Sequence, residues 1–266
     1  MKKRRVALVL AGGGARGVAH IGAIEELESQ GFEIGAVAGT SMGALVGGVY
    51  ASGYLEPFKE WMCALDKYKV FSLVDFALST EGLVKGDRVM EAMKELVPDV
   101  EIEQMPVPFA AVAADLLTGS EVVLDSGGLY DAIRASISIP SVFRPVHRDG
   151  RVLVDGGTVN PLPLNRVRRE EGDLLVAVDV SAQFGADPAH RANASLNYYK
   201  VLIASSQIMQ QRITQLMCRL YKPDIMVELP ADSYGMFEFY RSEEILEAGR
   251  AATRAALERL EADGKN

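Results

Sequence analysis

The sequence predicts an α/β fold built on a mainly parallel sheet, and three observations carry that prediction. Residues 6–51 alternate apolar, β-favouring runs with helix-compatible runs in the order strand, helix, strand, helix, which implies right-handed crossovers and parallel pairing. The runs at residues 6–10 and 174–180 are continuously apolar rather than alternating, as expected of strands buried on both faces. No linker or internal repeat divides the 266 residues, so one domain over residues 5–263 is the simplest reading.

Along the chain, the strand at 6–10 runs directly into a glycine loop, residues 12–17. A helix follows over about residues 18–30, with Val18, Ile21, Ile24 and Leu27 on one side, Glu25, Glu26 and Glu28 outside, and Gly31 as its C-terminal stop. The second strand, 34–38, ends at Gly39 and gives way to a small-residue helix over 44–51. Residues 54–97 read as mostly helical. Trp61, Met62, Leu65, Tyr68, Phe71, Val74 and Phe76 gather there, ahead of a turn at 82–86. Core packing is the expected role of these residues; a cap over a lipid tail is the alternative.

Residues 106–114 and 121–124 read as paired strands around Leu117-Thr118-Gly119. A helix over 129–138 stops at Pro140, and a strand at 151–154 leads into Asp155-Gly156-Gly157. Pro161 and Pro163 introduce an expected helix through Arg169. A polar loop at 182–193, a long amphipathic helix from Ser195 to about Leu220 and a last strand at 225–229 follow. Ser242 is placed to cap the final helix, with Glu243 and Glu244 in its first turn, where the helix dipole favours them.

Composition narrows the function. Apolar and charged fractions of 48% and 24% are ordinary for a globular chain and argue against disorder. A net charge of -8 argues against a nucleic-acid partner, and the basic clusters at 2–5 and 166–169 lack interleaved aromatics. Those clusters read as solvated surface, with attraction to an anionic lipid surface as the sharper alternative. Cys63 and Cys218 lie far apart among apolar residues, which suits reduced thiols in a cytoplasmic protein. No metal-ligand spacing and no cofactor signature is found, and no apolar run is long enough to span a bilayer. The charged start followed by residues 6–11 resembles the opening of a secretory signal, but the run breaks at the glycines, so a first strand explains it better.

The chemistry centres on Gly39-Thr40-Ser41-Met42-Gly43, a Gly-x-Ser-x-Gly pattern between strand and helix. In such a nucleophile elbow the serine sits on a strained turn, and the glycines let strand and helix approach. The earlier loop matches the dinucleotide fingerprint formally, as Gly12-x-Gly14-x-x-Gly17. That fingerprint wants an acid at the end of the second strand, where this chain has Gly39-Thr40-Ser41; a P-loop lacks its Lys-Ser/Thr pair. What remains is a run of backbone N–H groups at a helix start, Gly12, Gly13 and Gly14 with Arg16 beside them, suited to a developing oxyanion. A site for an anionic lipid head group or nucleotide, without turnover, is the competing reading.

Ser41 needs a base, and the three histidines are His20, His147 and His190. A Ser-Asp-His order would nominate His190 with Asp155 before it, yet His190 lies in a polar loop and His20 on the first helix. Asp155 ends a strand ahead of two glycines, where a carboxylate can face a site at close range. A Ser41–Asp155 dyad is the leading arrangement. An ordinary aspartate is a weak base at neutral pH, so its environment must compensate.

Together, Gly12-Gly13-Gly14-Ala15-Arg16-Gly17, Gly39-Thr40-Ser41-Met42-Gly43 and Asp155-Gly156-Gly157 resemble the patatin-like phospholipase family, most closely its compact bacterial members. The turn at 82–86, the stretches 135–140 and 143–146, and Asn160-Pro161-Leu162-Pro163 are similar as well, so the resemblance covers nearly the whole chain. It implies a three-layer α/β/α sandwich and an acyl hydrolase acting on a lipid or other acyl ester without a catalytic histidine. By position, Ser41 is then the nucleophile, Asp155 the base, and Gly12, Gly13, Gly14 and Arg16 the oxyanion hole. No cyclic-nucleotide, transmembrane or ankyrin-type region accompanies the motifs. The matching expectation is a cytoplasmic protein, with peripheral contact at the membrane as a further expectation.

Overall fold

The computed structural model describes residues 4–73, 87–182 and 198–263. The turn at 82–86, Val74 and Phe76, the polar loop beyond Ala182, and His190 lie outside the described residues. The predicted opening is present: β1 (Arg4–Leu10), α1 (Ala19–Ser29), β2 (Phe32–Thr40) and α2 (Met42–Ala51) follow in order, with a short 3-10 turn at Gly14–Val18 ahead of α1. Next come α3 (Leu55–Cys63), α4 (Lys67–Leu73) and α5 (Asp87–Lys94), then β3 (Phe109–Asp115) and β4 (Glu121–Leu124). The remaining elements are α6 (Leu129–Ser136), β5 (Val146–Arg148), β6 (Arg151–Asp155), β7 (Leu174–Ala182), α7 (Tyr198–Tyr221), β8 (Ile225–Pro230) and α8 (Ser242–Asp263).

These strands form one eight-stranded sheet in the order β5-β6-β3-β2-β1-β7-β8, with β4 paired to β3 off that path. The run from β3 to β8 is parallel. The β3/β4, β3/β6 and β5/β6 pairs are antiparallel. The central strand β1 is buried on both faces: Val6, Leu8 and Leu10 join the core beneath α1, α2 and α8, whereas Ala7 and Val9 pack with Leu162, Leu164 and, from α7, Met217 and Cys218. That two-residue alternation splits the apolar run between two helical layers, giving the three-layer α/β/α sandwich.

The register also brings two distant strand ends together. Ala111 of β3 pairs with Gly39 and Leu124, and Ala113 pairs with Asp155 and Val122. A strand residue has two flanks, so β4 occupies one of them while β2 and β6 follow each other along the other. Thr40 is opposite Val112, and Asp155 is opposite the next residue, Ala113. Ser41, one step beyond Thr40, therefore meets Asp155.

Three readings change. No helix forms at 161–169: Leu162 and Leu164 are both buried against the sheet, and the backbone makes an isolated turn from Arg166 N–H to Pro163 O. Two residues apart on a helix would point in different directions, so anchoring both keeps the segment irregular. The short strand β5 was not visible in the sequence; it is recruited by β6 across the Asp149-Gly150 turn, where both residues have positive φ. The Ser242 hydroxyl donates back to Phe239 O at 2.5 Å rather than accepting from the helix it begins. The expected core role of the aromatic stretch holds for Met62 and Leu65, which are buried beside Phe58 and Val70, and for Trp61, which packs against them, whereas Tyr68 is exposed.

Candidate active site

Ser41 adopts φ 56° and ψ −124°, a backbone state that costs a non-glycine residue roughly 1–3 kcal/mol unless its surroundings impose it. Here they do. The Ser41 N–H donates to Ser136 Oγ at 2.9 Å, and that hydroxyl donates in turn to Val112 O at 2.6 Å. Leu45 N–H takes up the Ser41 carbonyl, starting α2. Thr40 Oγ1 donates to Asn160 O at 2.8 Å, and Asn160 Nδ2 donates to Glu121 and Asn165. The turn is thus pinned from β3, α6 and the segment after β6.

The Ser41 hydroxyl donates to Asp155 Oδ2 at 2.5 Å, within the range of a short charge-assisted bond. The other carboxylate oxygen accepts the Gly157 N–H at 2.7 Å, which aims the side chain at the serine. Burial pushes the Asp155 carboxyl up to about 6, against the two hydrogen bonds that favour its charged form. No side chain is interposed between the two residues.

The glycine loop packs directly against the serine: a Cβ on Gly12 would stand 3.3 Å from Ser41 Cβ. Its donors are not equivalent. Gly12 N–H is committed to Pro161 O, and Ala15 N–H to Met236 O, whereas the Gly13 and Gly14 amides have no partner among the described residues. Arg16 is buried and its guanidinium is already engaged by Val180 O and Tyr234 O, both at 2.8 Å, and by Ser181 Oγ at 3.3 Å. Its burial depresses its pKa, with Asp179 and Asp232 opposing. Of the four expected oxyanion residues, Gly13 and Gly14 have amides to offer a ligand, while Gly12 and Arg16 fix the loop.

His20 lies under this loop with Nε2 2.8 Å from Ala11 O; complete burial lowers its pKa to about 4, so at neutral pH it is uncharged and donates that bond. His147 is exposed on β5.

Two cavities meet at the serine. One of about 300 Å³ runs beneath α7 and includes Asp155, Asp179 and Gln210. The other, about 110 Å³, is apolar and lies between α2, α3 and α5, lined by Leu45, Trp61, Met62, Val89 and Met93. Gly14, Ser41, Ile139 and Met236 belong to both. The arrangement sets a hydroxyl against a carboxylate, beside two amides with no partner among the described residues and an apolar chamber. Among the described residues, no cluster of metal-ligating side chains accompanies it.

Ser136, Gly157 and Gln210 escaped the sequence reading as site residues. Ser136 lies 95 positions from its partner, and nothing local marks it; Gly157 was visible only as half of a turn.

Comparison with known proteins gives a consistent picture. The family model for patatin-like phospholipases matches residues 8–167, which contain all three motifs. An uncharacterised NTE family protein of Mycobacterium bovis is 33% identical, with 97% of this chain and 93% of the relative covered. Patatin-like phospholipase domain-containing protein 7 of Rattus norvegicus is 27% identical over 92% of this chain and 20% of its own length. Among solved structures, VipD from Legionella pneumophila superposes with a TM-score of 0.51 at 13% identity, covering 97% of this chain and 67% of that one. The last likeness is one of fold.

Proposed function

Since the chain belongs to the patatin-like phospholipase family, a family of lipid hydrolases and esterases, we propose that it is a serine acyl hydrolase working through Ser41 and Asp155 alone. The observation that carries this reading is the direct 2.5 Å bond from Ser41 Oγ to Asp155 Oδ2. Asp155 accepts the Ser41 proton as Oγ attacks the ester carbonyl, and the Gly13 and Gly14 amides take the oxyanion. The tetrahedral adduct collapses, Asp155 returns the proton to the departing alcohol, and an acyl-serine remains. Water then attacks that ester with Asp155 again as base, releasing the acid and restoring Ser41. A carboxyl held near 6 is ionised at neutral pH and is a stronger proton acceptor than an ordinary aspartate. The substrate is a lipid ester of the phospholipase A or lysophospholipase type, its acyl chain in the apolar chamber and its alcohol portion in the wider cavity.

A fluorophosphonate probe and a chromogenic medium-chain ester test this. The wild type is expected to label and to turn over, and Ser41→Ala to do neither, with a rate loss of about 10³-fold or more. A wild type that neither labels nor hydrolyses any ester overturns the assignment in favour of anion binding by the glycine loop.

The assignment of the chambers has its own test. Val89 lines the apolar cavity and is only half-buried, so Val89→Trp is tolerated and shortens the chamber. Its kcat/KM on a ten-carbon acyl ester should fall about tenfold, with an acetyl ester unaffected; one or two lost methylene sites are worth roughly that much. An unchanged chain-length profile would place the acyl group elsewhere.

A further inference from the structure

Helix α7 is apolar on its outer face as well as where Met217 and Cys218 meet the sheet. A surface helix normally turns its apolar stripe to the core. Here Thr214 is buried and Gln210 and Gln211 turn inward, Gln211 donating to Ser181 O and Ala182 O at the end of β7. Outward stand Val201, Ile208, Leu216 and Leu220, the last two 63% and 69% exposed. Leu202 and Met209 are exposed and also line the Ser41 cavity, so the apolar face runs unbroken into the cavity mouth.

The charge of α7 is equally one-sided. Tyr198–Tyr221 contains Lys200, Arg212 and Arg219 and no Asp or Glu, in a chain of net charge -8. Arg212 and Arg219 are exposed among the outer apolar residues, and neither makes an ion pair among the described residues. No described helix is long and apolar enough to cross a membrane. Exposed Leu, Ile and Met with basic residues beside them are the features of a helix that lies in a bilayer interface. A second copy of the chain fits less well, because pairing the two helices would set like charges against each other.

We propose that the outer face of α7 docks on an anionic lipid bilayer and sets the mouth of the Ser41 cavity on the membrane surface. The inference rests on the hydrolase reading only in taking the lipid of that surface as substrate.

Co-sedimentation with vesicles of phosphatidylcholine containing roughly 30% phosphatidylglycerol is the test, since basic residues near such a surface each strengthen binding about fivefold. Wild type is expected to bind these vesicles and to bind pure phosphatidylcholine more weakly. Arg212→Gln with Arg219→Gln should weaken binding about 25-fold at low salt, and Leu216→Gln with Leu220→Gln about tenfold or more. Both variants should keep wild-type melting temperature, fluorophosphonate labelling and turnover of a water-soluble short-chain ester. Absence of vesicle binding by the wild type, or equal binding by the variants, overturns the proposal. So does a concentration-dependent dimer that the leucine substitutions disperse while no vesicle is bound. Vesicle binding by a wild type that hydrolyses no soluble ester supports the docking surface and removes the hydrolase reading alone.

Discussion

Asp155→Asn is expected to lower kcat/KM by about 10³- to 10⁴-fold while making the protein more stable at pH 8. The loss follows from the geometry. Asparagine keeps the size of the side chain and an oxygen for the Gly157 N–H, but it cannot take the Ser41 proton across the 2.5 Å contact. The gain in stability follows from the same burial that makes Asp155 a useful base. Its carboxyl titrates near 6 in the folded chain against a reference of 3.8. Between those values the unfolded chain has released the proton and the folded chain still holds it, so stability falls as pH rises through this window. The loss is complete above it, at about 3 kcal/mol. Asp179, also buried and pushed up to about 6, contributes in the same sense but is present in both proteins and drops out of the comparison. The variant's melting temperature should therefore exceed that of wild type at pH 8, with the gap closing towards pH 4. The wild-type rate should fall about tenfold per pH unit below 6. A variant within tenfold of the wild-type rate would remove Asp155 as the base, and a melting difference independent of pH would contradict its burial as the cause of the raised pKa.

Much of this site was legible because its parts carry local signatures. Gly39 and Gly43 around Ser41, the glycines after β1, and Asp155 at a strand end are marked by turn chemistry within a few residues. His20, read from the sequence as a residue of the first helix, is buried and uncharged; His147, for which the sequence offered no specific reading, lies out on β5. What could not be read depends on pairing at long range. Ser136 acts on Ser41 only because α6 packs beside β3. Gly12 was indistinguishable from Gly13 and Gly14 until Pro161 O claimed its amide. Arg16 looked like an anion ligand, yet its donors serve the ends of β7 and the Tyr234 loop. The periodicity of α7 was plain, but a period gives the existence of a face and not its direction, so the outward apolar side emerged only from the fold. At 161–169 the proline signals for a helix start were overruled by the burial of Leu162 and Leu164.

Gly43→Ala is expected to destabilise the chain by more than about 3 kcal/mol, lowering the melting temperature by roughly 10 °C. A Cβ there would stand 2.2 Å from Leu10 O, 2.6 Å from Leu10 C and 2.7 Å from Ala11 O. All three are backbone atoms at the end of β1, which is held by β2 on one side and β7 on the other, so the clash cannot be relieved by turning a side chain. Either α2 moves off the sheet or the central strands shift. Both displace Ser41 relative to the Gly13 and Gly14 amides, and a misplacement of about 1 Å is enough to cost some 100-fold in rate. Gly31→Ala serves as the control: its φ is +80° but a Cβ there meets nothing within 4 Å. That change should cost only about 1 kcal/mol and leave turnover intact. If Gly43→Ala melted and turned over like the Gly31 variant, the close approach of α2 to β1 would not be what holds the nucleophile in place.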